Sequence, residues 1–143
     1  MGAMGPPDPR SDPPALTREM TGLAAMFLTS GVVHLVRPAV MEPMVPKSLP
    51  GPRQLIYVSG VAELVCAAGL LHPRTRRIAG WGSAAVLLAV LPANVQMAAT
   101  AQKRARRDSA DAMKQAVRVA TIARLPLQVP LIRTALKAAG RLR

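Results

Sequence analysis

The sequence predicts an all-α protein, a four-helix transmembrane bundle with a Pro-rich loop between helices 1 and 2. Three observations carry this. Within 143 residues there are three long apolar runs almost free of charge and a fourth, weaker one, and runs of that length cross a bilayer as helices. Half of the residues are hydrophobic, yet the aromatics are only Phe27, Tyr57 and Trp81. Ala, Val, Leu and Gly at that density suit closely packed membrane helices better than a soluble core. The charged residues collect between the runs, where a membrane surface would lie.

Residues 1–15 hold five prolines and read as a disordered tail, residues 16–138 as one membrane domain, and residues 139–143 as a basic C-terminal tail. The first run, Met20 to Val36, is stopped together by Arg37 and Pro38. Residues 38–53 contain Pro38, Pro43, Pro46, Pro50 and Pro52. That many prolines speak against a helix, while Met41, Met44, Val45 and Leu49 argue for a stiff loop folded over the bundle end. The second run, Gln54 to Leu71, carries Glu63 near its middle. After a basic turn, the third run extends from Ile78 to Gln102 with no charge. Asp108 or Ser109 is placed to cap a fourth helix, whose apolar part runs from about Val117 to Ala138 and is interrupted by Arg118, Arg124 and Arg133. An amphipathic helix lying on the membrane surface is the competing reading of that segment.

The net charge of +12 raises nucleic acid as a partner. The basic clusters lack interleaved aromatics for base stacking, so no nucleic acid is expected. Arg and Lys beside apolar spans face anionic lipid headgroups instead. Cys66 is the single cysteine and His34 and His72 the only histidines, which leaves no dithiol and no metal-binding set. Excluding Arg124, the basic residues divide nine against nine between the two ends of a four-span bundle, so charge does not fix orientation.

Two phrases recur. Ser30-Gly31-Val32-Val33-His34-Leu35-Val36 echoes Ser59-Gly60-Val61-Ala62-Glu63-Leu64-Val65, and Leu91-Pro92-Ala93-Asn94 echoes Leu125-Pro126-Leu127-Gln128. Pro92, Pro126 and Pro130 each remove a helical hydrogen bond and free a carbonyl. Asn94, Gln96 and Gln128 are suitable donors for those carbonyls, since lipid offers none.

Counted at about 1.5 Å per residue, Glu63 lies roughly 12 Å below the side bearing the Pro-rich loop. Arg124 and Asn94 lie roughly 10 Å down, Gln128 one turn deeper, and His34 at roughly 4 Å. Intramembrane charges face the interior and pair. The expected binding cluster is therefore His34, Glu63, Asn94, Arg124 and Gln128, centred on a Glu63–Arg124 ion pair or water-bridged pair.

These residues carry a resemblance. His34 with Pro38 and Leu49-Pro50, Ser59-Gly60-x-x-Glu63-Leu64, Pro92-Ala93-Asn94, and Arg124-Leu125-Pro126-Leu127-Gln128 occur in the order seen in the DoxX-like family of small membrane proteins. The chain resembles that family over residues 28–136. The resemblance implies a four-helix bundle in the plasma membrane with both termini on one side, taken as cytoplasmic. Some members are subunits linked to quinone-dependent sulfur oxidation or redox homeostasis.

Three functions follow as expectations. The first is an accessory or scaffold subunit of a membrane complex, docking a membrane protein partner or a second copy. The second is a site for a quinone or another small lipophilic molecule beneath the 38–53 loop, with Glu63 exchanging protons and His34 hydrogen-bonding a carbonyl oxygen. The third is a proton-coupled carrier. No nucleophile–base pair, phosphate loop or metal box supports soluble catalysis.

Overall fold

A computed structural model describes residues 12–142. Residues 1–11 of the Pro-rich tail and residue 143 of the basic tail lie outside the described residues. Within them every regular element is helical. The order is α1 (Arg18–Val36), α2 (Pro38–Met41), a 3-10 turn (Glu42–Met44), α3 (Pro52–Leu71), α4 (Arg76–Ala89), α5 (Leu91–Arg107) and α6 (Ala112–Ala138). Three stretches are long and apolar enough to cross a membrane: Arg18–Val36, Pro52–Leu71 and the combined Arg76–Arg107.

The third apolar run is two helices rather than one. Pro92 sits in the first turn of α5, and its missing N–H breaks the ladder of the preceding turn at Val90. The Val90 amide still reaches the Val86 carbonyl at 3.0 Å, and the Asn94 amide reaches Val90 at 3.0 Å, so the chain bends there without coming apart. The described chain therefore has five helices longer than one turn where four were expected.

The Pro-rich stretch also differs from expectation, because part of it is helical. Pro38 occupies the first position of α2 and Pro43 lies in the 3-10 turn. At such positions the fixed φ of proline helps a turn, and the absent N–H would have had no partner. Residues 45–51 remain irregular.

The helix that carries the fourth apolar run, α6, starts two to three residues later than a cap at Asp108 or Ser109 would put it. Its N-cap is Asp111, not Asp108 or Ser109, and the carboxylate accepts from the Met113 and Lys114 amides at 3.0 and 3.1 Å. The helix packs against α4, α5 and α1, with Thr121, Gln128, Thr134, Ala135 and Ala138 buried. Pro126 and Pro130 lie inside it.

α1 packs on α3, α3 on α4, α4 on α6, and α6 back on α1. The core between them is small-residue rich, with Leu23, Phe27, Leu70, Leu87, Ala67, Ala84, Ala135 and Ala138. Close approach is built in at Gly80, where a Cβ would meet the Ala135 carbonyl at 2.7 Å. α5 leaves this ring after Val90 and packs on α6 and on the 3-10 turn.

The far end is fastened by Arg76, which is 4% exposed. Its guanidinium donates to the Leu70 and Leu71 carbonyls at the end of α3, at 2.7 and 3.1 Å, and to the Pro14 carbonyl. The C-terminal carbonyls of α3, which no later turn can satisfy, thus share one cation with the segment before α1. Arg77 donates to the Asp12 carbonyl at 2.7 Å.

Candidate functional site

The site begins where α1 crosses α3. A Cβ on Gly31 would meet the Gly60 carbonyl at 2.8 Å, and a Cβ on Gly60 would meet the His34 Cβ at 2.8 Å. Only glycine allows the two backbones to come this close. The residue three places beyond each glycine therefore lies at the crossing, and these residues are His34 and Glu63.

Their side chains meet, with His34 Nδ1 3.6 Å from Glu63 Oε2. Each also has a serine one turn earlier on its own helix. Nδ1 lies 2.6 Å from the Ser30 carbonyl and 3.3 Å from Ser30 Oγ, while Ser59 Oγ donates to Glu63 Oε1 at 3.3 Å. A carbonyl can only accept, so the 2.6 Å contact places a proton on Nδ1. Glu63 is 4% exposed, and its Oε2 is buried with no hydrogen-bond partner.

The second echo also becomes a contact. Asn94 Nδ2 donates to Gln128 Oε1 at 3.3 Å, and Gln128 Nε2 donates to the Leu87 carbonyl at 2.6 Å. The amide from α6 thus satisfies a carbonyl in the last turn of α4, just before the bend. Neither amide reaches the carbonyls freed by proline at Leu88, Ile122 and Pro126, and Gln96, the third expected donor, turns to the Pro-rich segment and holds the Val45 carbonyl at 3.2 Å.

These two polar pairs border one cavity of about 370 Å³. Its lining is mostly apolar, with Ile56, Ala62, Val86, Ala93 and Met97 from the helices and Met41, Met44, Val45, Pro46 and Leu49 from the segment above. The polar lining is His34, Glu63, Asn94, Arg124, Ser30 and Ser59. The cavity arises from two displacements. α5 diverges from the ring at Val90, and α3 starts eleven residues before Glu63 whereas α1 ends two residues after His34. That difference leaves the first turns of α3 standing about 13 Å beyond the end of α1. The 38–51 segment fills this step and roofs the cavity. It is fastened by Gln96 and by a 2.7 Å ion pair between Glu42 and Arg53.

Four of the five expected site residues line this cavity, and Gln128 borders it through Asn94 and lines a smaller adjoining pocket. Of the two expected arrangements, the direct Glu63–Arg124 ion pair is not formed. Among the described residues the direct partners of Glu63 are His34 and Ser59, and no Glu63–Arg124 contact lies within 4.0 Å. Arg124 shares the walls of both pockets with Glu63, and no described residue hydrogen-bonds it or pairs with it. Depth along the helices placed these groups at comparable levels but gave no direction around each helix axis, and that direction is set by the glycine crossing. Ser30 and Ser59 were legible only as packing residues, although a serine one turn before an ionisable residue in both copies was the available signal. No group of three His, Cys, Asp or Glu side chains among the described residues is placed to hold a metal ion.

Such a site can hold a small, mainly apolar molecule and hydrogen-bond one polar group on it. A family model for a domain of unknown function, DUF8561, matches residues 23–139, and the chain belongs to that family. No curated protein and no solved structure matches it.

Proposed function

We propose that this member of the DUF8561 family is a multi-pass plasma-membrane protein that binds a small lipophilic molecule among its helices, acting as a ligand-bearing accessory subunit of a membrane complex. The observation that carries this reading is the roofed cavity of about 370 Å³ with a buried, unsatisfied carboxylate oxygen on its wall. Ligand sites for small molecules are of this size, mostly apolar with a few convergent polar groups. Burial of an acid in an apolar bundle is costly unless a partner receives it; Ser59 satisfies Oε1, while His34 Nδ1, 3.6 Å from Oε2, is too distant to hydrogen-bond it. Quinols, the reduced hydroxyl-bearing form of quinones, belong to the class of molecule that fits, and the resemblance to the DoxX-like family favours them.

In this reading α6 is the fourth span and both termini lie on the cytoplasmic side. The Lys103–Arg107 cluster then lies at the headgroup level of the other leaflet. Gln96 and the Glu42–Arg53 pair keep the roof closed over the ligand.

The test is purification in mild detergent, followed by organic extraction and mass spectrometry of the wild type and of Ala62→Phe, which fills the cavity from its wall. A lipophilic molecule near one per chain in the wild type, and lost from a folded Ala62→Phe protein, is the expected result. Equal recovery from both proteins, or none from the wild type, would remove the reading.

A further inference from the structure

Resting on the reading of the cavity as a ligand site, we infer that its occupant carries an uncharged hydroxyl head, of the phenol or alcohol class, that donates a hydrogen bond to Glu63 Oε2. The inference comes from what the polar wall lacks. Glu63 Oε1 already accepts from Ser59, while Oε2 is buried with no partner. Buried polar atoms are almost always hydrogen-bonded, so a group from outside the chain is needed there, and an acceptor requires a donor. His34 is compatible with the same donor. Its Nδ1 proton is committed to the Ser30 carbonyl, so in the neutral ring the remaining nitrogen, Nε2, is also an acceptor.

Charge on the wall narrows the class. An anionic head would be placed beside the Glu63 carboxylate and repelled by it. A cationic head would share the cavity with the Arg124 guanidinium, which no described residue neutralises. A hydroxyl avoids both penalties. It donates to Oε2, and its oxygen lone pairs can accept from Arg124. The apolar remainder of the molecule then lies against Met41, Met44, Val86 and Met97.

The experiment measures binding of four probes of nearly equal size to the full chain in detergent. They are a para-alkylphenol, its methyl ether, the matching para-alkylbenzoate and the matching para-alkylbenzylamine. The phenol is expected to bind about tenfold or more tighter than each of the others, the usual effect of a hydrogen bond to a charged group. In Glu63→Gln its advantage over the ether should shrink to less than about threefold. Wild-type protein alone decides the matter if that variant does not fold. An ether that binds as well as the phenol overturns the donor-head inference and leaves the cavity reading intact. Tightest binding by the benzoate or the amine does the same. Failure of all four probes overturns the inference, and the cavity reading falls with it only if no lipophilic molecule co-purifies with the wild type.

Discussion

His34 Nδ1 lies 3.6 Å from Glu63 Oε2, and each residue stands three places after a glycine at which its helix touches the other. The two helices thus meet through matching copies of one short phrase. The spacing from glycine to ionisable residue converts a close backbone approach into a polar contact.

Gly60 is the most sensitive point of that crossing. A Cβ there would come within 2.8 Å of the His34 Cβ and 3.1 Å of the Gly31 carbonyl. Neither obstacle is the movable end of a long side chain. Gly60→Ala should therefore destabilise the protein by about 1–3 kcal/mol, the usual cost of overpacking. Gly22, on the same pair of helices, has nothing within 4 Å of an added Cβ. Gly22→Ala should be neutral or stabilise by up to about 1 kcal/mol through helix propensity. Thermal unfolding of the two variants in the same detergent separates the effects, and equal midpoints would show that the crossing tolerates bulk.

Arg76 carries a different kind of contact, a buried guanidinium spread over three backbone carbonyls. Lysine has the charge but not the planar fork that reaches several acceptors at once. Arg76→Lys should lower stability by about 2 kcal/mol, in the range for hydrogen bonds to a charged group. It should also loosen residues 12–17 first. Limited proteolysis with a protease that cuts after Leu16 is the direct readout, and unchanged cleavage would mean that the Pro14 contact does not hold the segment.

The roof offers a third measurement. Gln96 holds the Val45 carbonyl, and Glu42 pairs with Arg53 at the start of α3. Surface pairs contribute little, about 0–1 kcal/mol, so Glu42→Gln should barely change thermal stability. Gln96→Leu removes a donor that is partly buried beneath the segment, and should release a bound lipophile about three- to tenfold faster. Ligand dissociation rates of the two variants test this, and equal rates would assign the closure to the apolar contacts of Met44 and Leu49 alone.

Much of this arrangement is legible in the sequence, and the limits have physical causes. The positions of α1 and α3 follow from their apolar runs, because the stops at Arg37-Pro38 and His72-Pro73 are local signals. The cluster of His34, Glu63, Asn94 and Arg124 follows from depth, a one-dimensional quantity that helical rise preserves. The partner of Glu63 did not follow, because partnership depends on rotation about the helix axis. That rotation is fixed by where Gly31 meets Gly60. The helical turn at Pro38–Met41 was missed for another reason: proline forbids helix interiors but favours helix starts, and composition alone does not distinguish them. Asp111 was missed as the cap of α6 because Asp108, Ser109 and Asp111 each carry a side-chain oxygen able to cap, and the sequence alone does not choose among them.

That cap gives a pH dependence with a definite sign. The Lys114 ammonium and backbone amide, with the Met113 amide, hold the Asp111 carboxyl below its ordinary value. A carboxyl with a depressed pKa in the folded protein adds stability above its unfolded value, near about 4. That contribution is lost as the pH falls through the lower folded value. Protection of the Met113 and Lys114 amides against hydrogen exchange should therefore be retained at pH 5 and decline in acid below about pH 4. Asp111→Asn keeps a capping oxygen but no charge, and should flatten this decline. An unchanged acid profile in Asp111→Asn would assign it to other carboxylates, with Asp108, the second partner of Lys114, the first to examine.

Gln128 gives the most demanding prediction, because it serves two helices at once. It accepts from Asn94 on α5 and donates to the Leu87 carbonyl on α4, across the bend at Val90. Gln128→Leu leaves that carbonyl and the Asn94 amide without partners in a buried site, at about 1–3 kcal/mol for each unsatisfied group. Asn94→Leu removes only the weaker 3.3 Å contact and leaves the 2.6 Å bond to Leu87 in place. It should therefore cost less than Gln128→Leu. In the double variant the coupling between the two positions should be about 0.6–1.7 kcal/mol, as for polar pairs between membrane helices. A coupling near zero would show that Gln128 acts on the bend alone and that the Leu-Pro-x-amide echo has no energetic content.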